Sequence, residues 1–245
     1  MVCDIMQIAN SVIFITGASS GIGQSLTHQF LEKGASVCAF SRRGMPKDLK
    51  DAYPNTLLEI KGDVSKLEEI QASLQATIQT FGGLHIVVAN AGIAHFDDLG
   101  TTNPQIAEAM ILTNVLGVFY TLHASYPLLQ KTNGPRAVVG IHSIAATTIF
   151  EGASVYSATK AGTLAMFRSF REEVRKDGIS VLDVLPGATR TEIWTKEMLT
   201  ERGKDMMHPD SIARIIINAL EQSRNSEDAI THVDEVVIRP WTGNL

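Results

Sequence analysis

The chain has 245 residues, of which 44% are hydrophobic and 19% are charged, and its formal net charge at pH 7 is -5. This length suits one large α/β domain, and this hydrophobic fraction is enough to build a sizeable core. The charge balance, with no long basic run, argues against a nucleic-acid-binding protein, because phosphate binding needs a dense positive face.

Short runs rich in β-branched residues alternate with longer amphipathic segments along the whole chain. The runs that predict strands are SVIFIT (11–16), SVCAF (36–40), TLLEI (56–60), HIVVAN (85–90), AVVGIHS (137–143), ISVLDVL (179–185) and DEVVIR (234–239). Helical periodicity covers residues 21–33, 65–80, 103–130, 153–176 and 209–222. The alternation predicts an α/β fold: a Rossmann-like, doubly wound parallel β-sheet of about seven strands with helices on both faces. We expect a single domain over residues 1–245.

The sequence indicates neither an export signal nor a membrane anchor. No apolar run reaches the ~18 residues that span a bilayer. The N-terminal segment carries Asp4 but no Lys or Arg, unlike a signal peptide. Cys3 and Cys38 are the only cysteines, which suggests no disulfide framework. We therefore expect a reducing, cytoplasmic compartment, no membrane or nucleic-acid partner, and no metal site.

The sequence TGASSGIG (16–23) follows the first predicted strand directly and opens the first predicted helix. Gly17 permits a tight turn, Gly21 lets the backbone approach a pyrophosphate, and Gly23 allows the helix to pack closely on the sheet. The helix N-terminus offers unpaired N–H groups and the positive end of its dipole to an anion. In this position the motif predicts a dinucleotide-binding site.

The end of the second strand bears on the choice of cofactor. A dinucleotide-binding fold commonly places an acid about 20 residues after the glycines, where it holds the ribose hydroxyls. Here Ser41, Arg42 and Arg43 stand in its place. Guanidinium groups bind a 2′-phosphate that a carboxylate would repel, so these residues favour NADP(H) over NAD(H), unless both arginines only solvate the strand end. After the third strand, Asp63 is placed to accept a hydrogen bond from the adenine amino group, while Asp63 or Ser65 could also cap the next helix.

Polar residues follow the fourth and fifth strands, beside the crevice where ligands bind in such sheets. Asn90 is placed to hydrogen-bond the cofactor ribose and Gly92 gives backbone clearance, although Asn-Ala-Gly is also an ordinary turn sequence. Ser143 ends the fifth strand, where its hydroxyl could hold a substrate carbonyl oxygen while Tyr156 donates a proton to that oxygen. Asn114 lies within a predicted helix, where it either bends the helix and holds a water or faces solvent.

The sequence VYSATKAG (155–162) sets Tyr156 and Lys160 four positions apart, on one face of a predicted helix. A free tyrosine, with a pKa of ~10, keeps its proton at neutral pH. A neighbouring positive charge lowers that pKa. Taken alone, the pair is either a general acid/base or ordinary helix decoration.

Together these motifs resemble the short-chain dehydrogenase/reductase family, in its compact single-domain branch, over essentially the whole chain. The matching features are the glycine motif 16–23, Asp63, Asn90–Gly92, Asn114, Ser143, Tyr156 with Lys160, Pro186–Gly187 and Thr191. The resemblance implies an NADP(H)-dependent oxidoreductase in which Tyr156 is the acid/base and Ser143 orients the carbonyl. It further implies that Lys160 binds the nicotinamide ribose and lowers the tyrosine pKa, and that Asn114 holds a relay water.

The resemblance also implies a set of cofactor and substrate contacts. The expected cofactor-binding residues are Gly17, Ser19, Ser20, Gly21, Ile22, Gly23, Ser41, Arg42, Arg43, Asp63, Val64, Asn90, Ala91, Gly92, Tyr156, Lys160, Pro186, Gly187, Thr189 and Thr191. Mostly apolar candidates surround the reacting carbon: Ala94, His95, Phe96, Ile144, Ala145, Phe150, Trp194 and Met198. Of these, we expect His95, Phe150 and Trp194 to contact the substrate with Ser143 and Tyr156, although His95 also suits an ordinary surface histidine. Residues 188–207 form the expected substrate loop, and the apolar walls favour a small carbonyl or secondary alcohol on a hydrophobic frame as the substrate.

Other functions on this fold are also considered. Epimerases and dehydratases of the family are longer, with an added substrate domain for which 245 residues leave no room. A nucleotide-sensing binding protein that has lost turnover tends to lose the tyrosine, the lysine or the serine, and all three are present here. The family resemblance implies a homodimer through the helices that hold Asn114 and Tyr156. A homotetramer is left open, because the C-terminal sequence VVIRPWTGNL lacks the family's frequent Asp-Gly-Gly stretch.

Overall fold

A computed structural model describes residues 6–222 and 231–243 of the chain, so Cys3 and Asp4 lie outside the described residues. Its parallel sheet has the strand order β3-β2-β1-β4-β5-β6-β7. The strands are β1 (Val12–Thr16), β2 (Ser36–Ser41), β3 (Leu57–Lys61), β4 (Ile86–Ala89), β5 (Arg136–Ile141), β6 (Ile179–Pro186) and β7 (Glu235–Ile238). All seven predicted strands are confirmed, and so is the Rossmann-like, doubly wound fold.

The helices also follow the predicted alternation, with three differences, of which one is the short α7 inside the expected substrate loop. They are α1 (Gly21–Glu32), α2 (Lys47–Ala52), α3 (Leu67–Phe81), α4 (Pro104–Met110), α5 (Gly117–Lys131), α6 (Ser154–Val174), α7 (Lys196–Arg202) and α8 (Pro209–Gln222). The predicted helix 103–130 is divided, because a π-helical segment, Ile111–Leu116, joins α4 to α5. The short α2 was not predicted, since it buries only Leu49 and shows no period.

The strands bury both of their faces, which explains their continuous apolar sequences. Along β1, Ile13 and Ile15 face one core that contains Leu26 of α1 and Ile216 of α8. Phe14, between them, faces the opposite core, which residues of α3, α5 and α6 complete. Side chains alternate across a strand, so one apolar run supplies both cores.

One continuous helical stretch, Pro104–Lys131, is long and apolar enough to cross a membrane by length and composition alone. Its Val118, Leu122 and Leu129 belong to the core under the sheet. Packing against the sheet therefore accounts for part of its apolar character. Ile111, Leu112 and Phe119 remain exposed on the same stretch.

The order of the strands places a crevice at the carboxyl ends of β1 and β4. The chain builds β2 and β3 on one side of β1, then crosses to the other side and builds β4 to β7. The connections that follow β1 and β4 therefore diverge, and ligands of doubly wound sheets bind at such a switch point. The glycine motif follows β1 here, and Asn90 follows β4.

Candidate active site

A cavity of about 780 Å³ extends along the carboxyl edge of the sheet. Its lining includes most of the predicted site residues: Gly17, Ser19, Ser20, Gly21, Ile22, Ser41, Arg42, Arg43, Asp63, Val64, Asn90, Ala91, Gly92, Ser143, Phe150, Tyr156, Lys160, Pro186, Gly187, Thr189, Thr191 and Trp194. Gly23 and Asn114 lie behind this lining rather than in it, and so do not face the cavity directly. Residues predicted from separate motifs are thus brought together in one cavity.

The glycine turn needs glycine for two different reasons. Gly17 and Gly21 have φ angles of +66° and +54°, in the left-handed region that other residues rarely adopt. A Cβ atom at Gly23 would lie 2.4 Å from the carbonyl oxygen of Gly17. The turn can therefore fold tightly onto the start of α1, whose first residues, Gly21 and Ile22, line the cavity.

Asn90 has a role that the sequence did not reveal. Its Nδ2 donates hydrogen bonds to the carbonyl oxygens of Thr16 (2.9 Å) and Gly17 (3.1 Å). Its backbone N–H donates to the Thr16 hydroxyl at 3.1 Å. The side-chain amide group thus locks the glycine turn to the end of β4, and the predicted ribose contact is left to its oxygen atom.

The end of the cavity where the sequence predicts the adenosine is lined by Arg42, Arg43 and Asp63. The Oδ1 atom of Asp63 accepts hydrogen bonds from the backbone and the hydroxyl of Ser65, both at 2.9 Å. Burial tends to raise the Asp63 pKa, but these hydrogen bonds and the Arg42 charge outweigh it and hold the pKa below its ordinary value. Asp63 therefore stabilises the turn before α3 as an ionised acceptor, and its adenine contact stays a prediction.

Ser143, Tyr156 and Lys160 meet at the other end of the cavity. Tyr156 and Lys160 lie on one buried face of α6, with the lysine Nζ 5.9 Å from the centre of the tyrosine ring. The Lys160 ammonium donates to the carbonyl oxygen of Ile141 at 2.9 Å. The Ser143 oxygen accepts from the backbone N–H of Ala145 at 3.1 Å, and Ser143 lies near enough to Tyr156 to act on the pKa of its phenol. The serine hydroxyl and the phenol thus belong to side chains that line the same cavity.

Burial controls the ionisation of Tyr156 and Lys160. It raises the pKa of Tyr156 to about 12, although the neighbouring Ser143 hydroxyl opposes the shift. It lowers the pKa of Lys160 to about 8, so that a fraction of the lysine is neutral near this pH. Desolvation of the phenol is the largest effect on the Tyr156 pKa, and the lowering by Lys160 that the resemblance implies stays a prediction.

Asn114 lies within the π-helical segment and is buried, so the solvent-facing interpretation is wrong. Its Nδ2 donates to the Ile93 carbonyl at 2.8 Å and to the Thr159 hydroxyl at 3.1 Å. Its Oδ1 accepts from the Ile93 backbone at 2.8 Å. Both amide hydrogens are engaged, so only an oxygen atom of Asn114 remains to hold the predicted relay water.

Phe96 contacts Tyr156, and Trp194 stacks on Phe96. Phe96 stacks on Trp194, with centroids 5.2 Å apart and planes at 12°, and meets the Tyr156 ring edge-on at 5.6 Å. The Trp194 indole N–H donates to the carbonyl oxygen of Thr189 at 3.0 Å, which orients the ring. This aromatic roof joins two distant loops, so no local pattern in the sequence could reveal it.

The predicted substrate loop, 188–207, is closed at its base, where Thr189 pairs with Met207. It contains α7. Its first half lines the cavity, together with Ala94, Ile144, Ala145 and Phe150 from other loops. His95 and Met198, which were also expected there, are not part of the lining, and His95 is exposed to solvent.

A buried network of hydrogen-bonded polar side chains begins at His142, the residue before Ser143. His142 Nε2 lies 2.9 Å from Asp183 Oδ1, and the other ring nitrogen lies 3.2 Å from the Thr163 hydroxyl. The second oxygen of Asp183, which is fully buried, accepts from Arg171. Burial lowers the pKa of His142, although Asp183 opposes the shift. The sequence did not predict this network of hydrogen bonds. Its local signals are His142, directly after an apolar strand, and Asp183, inside another apolar strand.

Among the described residues, no group of three or more His, Cys, Asp or Glu side chains could hold a metal ion.

Several known proteins are similar to this chain in sequence. The family model described as short chain dehydrogenase matches residues 11–202. A farnesol dehydrogenase of Aedes aegypti is 31% identical over 86% of this chain and 90% of its own length. An oxidoreductase of Staphylococcus aureus is 30% identical over 95% of this chain and 98% of its own.

Solved structures resemble the whole fold. The structure described as ElxO with NADP bound has a TM-score of 0.80 at 25% identity, covering 94% of this chain and 96% of that one. A 3-ketoacyl-(acyl-carrier-protein) reductase from Brucella melitensis, complexed with NADH, has a TM-score of 0.83 at 21% identity, covering 96% and 98%. At that lower identity the likeness concerns the fold alone.

Proposed function

The chain belongs to the short-chain dehydrogenase family, and on this premise we propose that it is an NADP(H)-dependent oxidoreductase that interconverts a carbonyl and a secondary alcohol on a small, largely apolar substrate. The observation that carries the proposal is that Ser143, Tyr156 and Lys160 line the same end of one cavity, with the Lys160 ammonium 5.9 Å from the centre of the Tyr156 ring. These three residues share one cavity with the glycine turn, so a dinucleotide bound at the turn would extend towards them.

The cradle at the start of α1 fits a dinucleotide pyrophosphate. A Cβ atom at Gly17 or Gly21 would lie 2.8 Å from Ala91 or Thr191, so only glycine leaves room for this close approach. Arg42 and Arg43 would hold the 2′-phosphate of NADP(H), for which guanidinium groups are well suited. The NADP in the structure described as ElxO is consistent with this cofactor. When bound, the nicotinamide supplies hydride transfer, and the chain supplies orientation and proton transfer.

Tyr156 would act as the acid that protonates the carbonyl oxygen. Its raised pKa, about 12, keeps the phenol protonated at neutral pH. Ser143 would hold the same oxygen by a second hydrogen bond, since its own hydroxyl is oriented by Ala145. The protonated phenol is the form that reduction of a carbonyl requires. The reverse reaction needs additional positive charge near the phenol to lower its pKa, and Lys160 is the nearest source.

The walls around Tyr156 favour an apolar substrate. Phe96, Phe150 and Trp194 surround the reacting position with rings, and alanine and isoleucine side chains complete the lining. Burying such walls against hydrocarbon contributes ~25 cal/mol for each Å² removed from water. A farnesol dehydrogenase among the relatives acts, by its name, on an apolar alcohol, which is consistent with this substrate class.

We also propose a cytoplasmic homodimer. Ile111, Leu112 and Phe119 are exposed apolar residues on the helical stretch that holds Asn114, where the family resemblance implies a dimer contact. The free, buried thiol of Cys38 is compatible with a reducing compartment. Light scattering on the purified chain measures its mass, and a monomer at micromolar concentration would contradict the dimer.

The proposal is tested by following NADPH oxidation with a panel of ketones, aldehydes, quinones and diketones, with NADH in parallel. The expected result is turnover of at least one apolar carbonyl, faster with NADPH at equal cofactor concentration. Tight binding of NADPH without turnover of any panel member would favour the nucleotide-sensing alternative. Absence of binding of either nucleotide would overturn the proposal.

A further inference from the structure

We propose that Glu192 competes with the 2′-phosphate of the cofactor for Arg43 and so reduces the preference for NADP(H) over NAD(H). The inference rests on the proposed cofactor. It makes Glu192 a specificity-determining residue. Glu192 lies in the substrate loop, far along the sequence from Arg42 and Arg43, which are expected to bind the adenosine part of the cofactor. No motif of the chain indicates this role.

The two side chains meet across the cavity. Arg43 follows β2, whereas Glu192 follows β6, and β1, β4 and β5 lie between these strands in the sheet. The Arg43 Nη1 atom nevertheless lies 2.5 Å from Glu192 Oε2, and its Nη2 donates to the Ser20 hydroxyl at 2.8 Å. The guanidinium therefore connects the substrate loop to the start of α1.

Both members of the ion pair line the cavity that is proposed to hold the cofactor. Asp63 and Glu151 are the other carboxylates in its lining, but Asp63 is bonded to Ser65 in its own turn. Glu151 lies next to Phe150, on the substrate side. Glu192 thus forms a direct ion pair with Arg43, whereas Asp63 and Arg42 interact only through their charges.

A 2′-phosphate carries up to two negative charges and would compete with Glu192 for the Arg43 guanidinium. The side chains of Arg43 and Glu192 are 62% and 64% exposed, so water can replace either partner and the pair can open. An ion pair of this exposure changes an equilibrium by about two- to fivefold. NADH has a hydroxyl instead of the phosphate, so it can bind while the ion pair persists.

The test measures dissociation constants of NADPH and NADH by fluorescence titration, for the natural chain and for Glu192→Gln. The variant is expected to bind NADPH about two- to fivefold more tightly and NADH unchanged. Raising the salt from about 50 mM to 500 mM should reduce the difference, because exposed charges are then screened. Glu201→Gln, which removes the same charge from an exposed position of α7 outside the cavity lining, is the matched control and should change neither constant.

Competition for Arg43 also makes a prediction for a double variant. In an Arg43→Ala background, Glu192→Gln should no longer lower the dissociation constant of NADPH.

Glu192→Ser is a second variant without the charge, and thermal unfolding of each protein checks that its fold is intact.

Unchanged or weakened NADPH binding in both Glu192 variants, with the natural chain still preferring NADPH, would overturn the inference and leave the proposed function intact. Equal tightening of NADPH and NADH would also overturn it, because Glu192 would then act on the shared pyrophosphate. If the natural chain binds neither nucleotide, the proposed function fails and the inference fails with it.

Discussion

Replacing Asp183 by Asn tests whether the buried network of hydrogen-bonded polar side chains that begins at His142 holds the sheet together. Asp183 is fully buried, and its two oxygens meet His142 and Arg171. The substitution keeps the volume and removes the charge, which leaves Arg171 without its buried partner. Breaking a buried ion pair in this way typically costs ~3–5 kcal/mol. Arg171 also reaches Asp234 and the Asp234 carbonyl, so we expect a loss at the low end, about 3 kcal/mol.

The assay is urea unfolding followed by circular dichroism at pH 7. Glu235→Gln is a matched control, because Glu235 lies beside Asp183 on the neighbouring strand. Its carboxylate pairs with Arg168 at 2.7 Å, with the two side chains 32% and 51% exposed. An exposed pair contributes ~0–1 kcal/mol, so the control should lose much less stability. A loss below about 1 kcal/mol for Asp183→Asn would refute the reasoning, since the buried carboxylate would then matter no more than the exposed one.

Three further predictions concern the cofactor site and the histidine. Arg42→Ala should weaken NADPH about tenfold and leave NADH nearly unchanged, since a charge-assisted hydrogen bond contributes ~1.5–3 kcal/mol; equal losses in titration would contradict its contact with the 2′-phosphate. Gly17→Ala should weaken both nucleotides, because its Cβ would lie 2.8 Å from the Ala91 Cα, whereas Gly82→Ala, with a similarly positive φ but nothing within 4 Å, should not. The pKa of His142 in the folded chain is lower than its ordinary value of 6.5. The contribution of His142 to the free energy of unfolding is therefore complete above pH 6.5 and declines as the pH falls below it, because the unfolded chain then binds more protons. His142→Phe should reduce that slope in urea unfolding between about pH 5 and 7, and an unchanged slope would exclude His142 as a contributor.

The elements that could be predicted from the sequence are those with a strong local signal. The strands were located because they are short, β-branched and buried on both faces, as Ile13 to Ile15 illustrate. The glycine turn was located because Gly17 and Gly21 directly follow a strand and precede a helix. The spacing of Tyr156 and Lys160 placed them on one helix face, and the structure brings both into the cavity.

The remaining features depend on contacts between distant segments. The Phe96–Trp194 stack and the Arg43–Glu192 pair each join two loops that only the sheet order brings together. The direction of the Tyr156 pKa shift depends on how completely α6 is buried, and the spacing of residues does not reveal that. The π-helical segment around Asn114 is stabilised by bonds to Ile93 and Thr159, outside its own helix.

The measurement that tests the account most directly is the comparison of Tyr156→Phe with the natural chain, using NADPH and the best carbonyl substrate of the panel. The account predicts that kcat falls by at least ~10²-fold, the ordinary contribution of a general acid, while the NADPH dissociation constant changes less than about twofold. Residual turnover within about tenfold of the natural chain would contradict the role of Tyr156 as the acid.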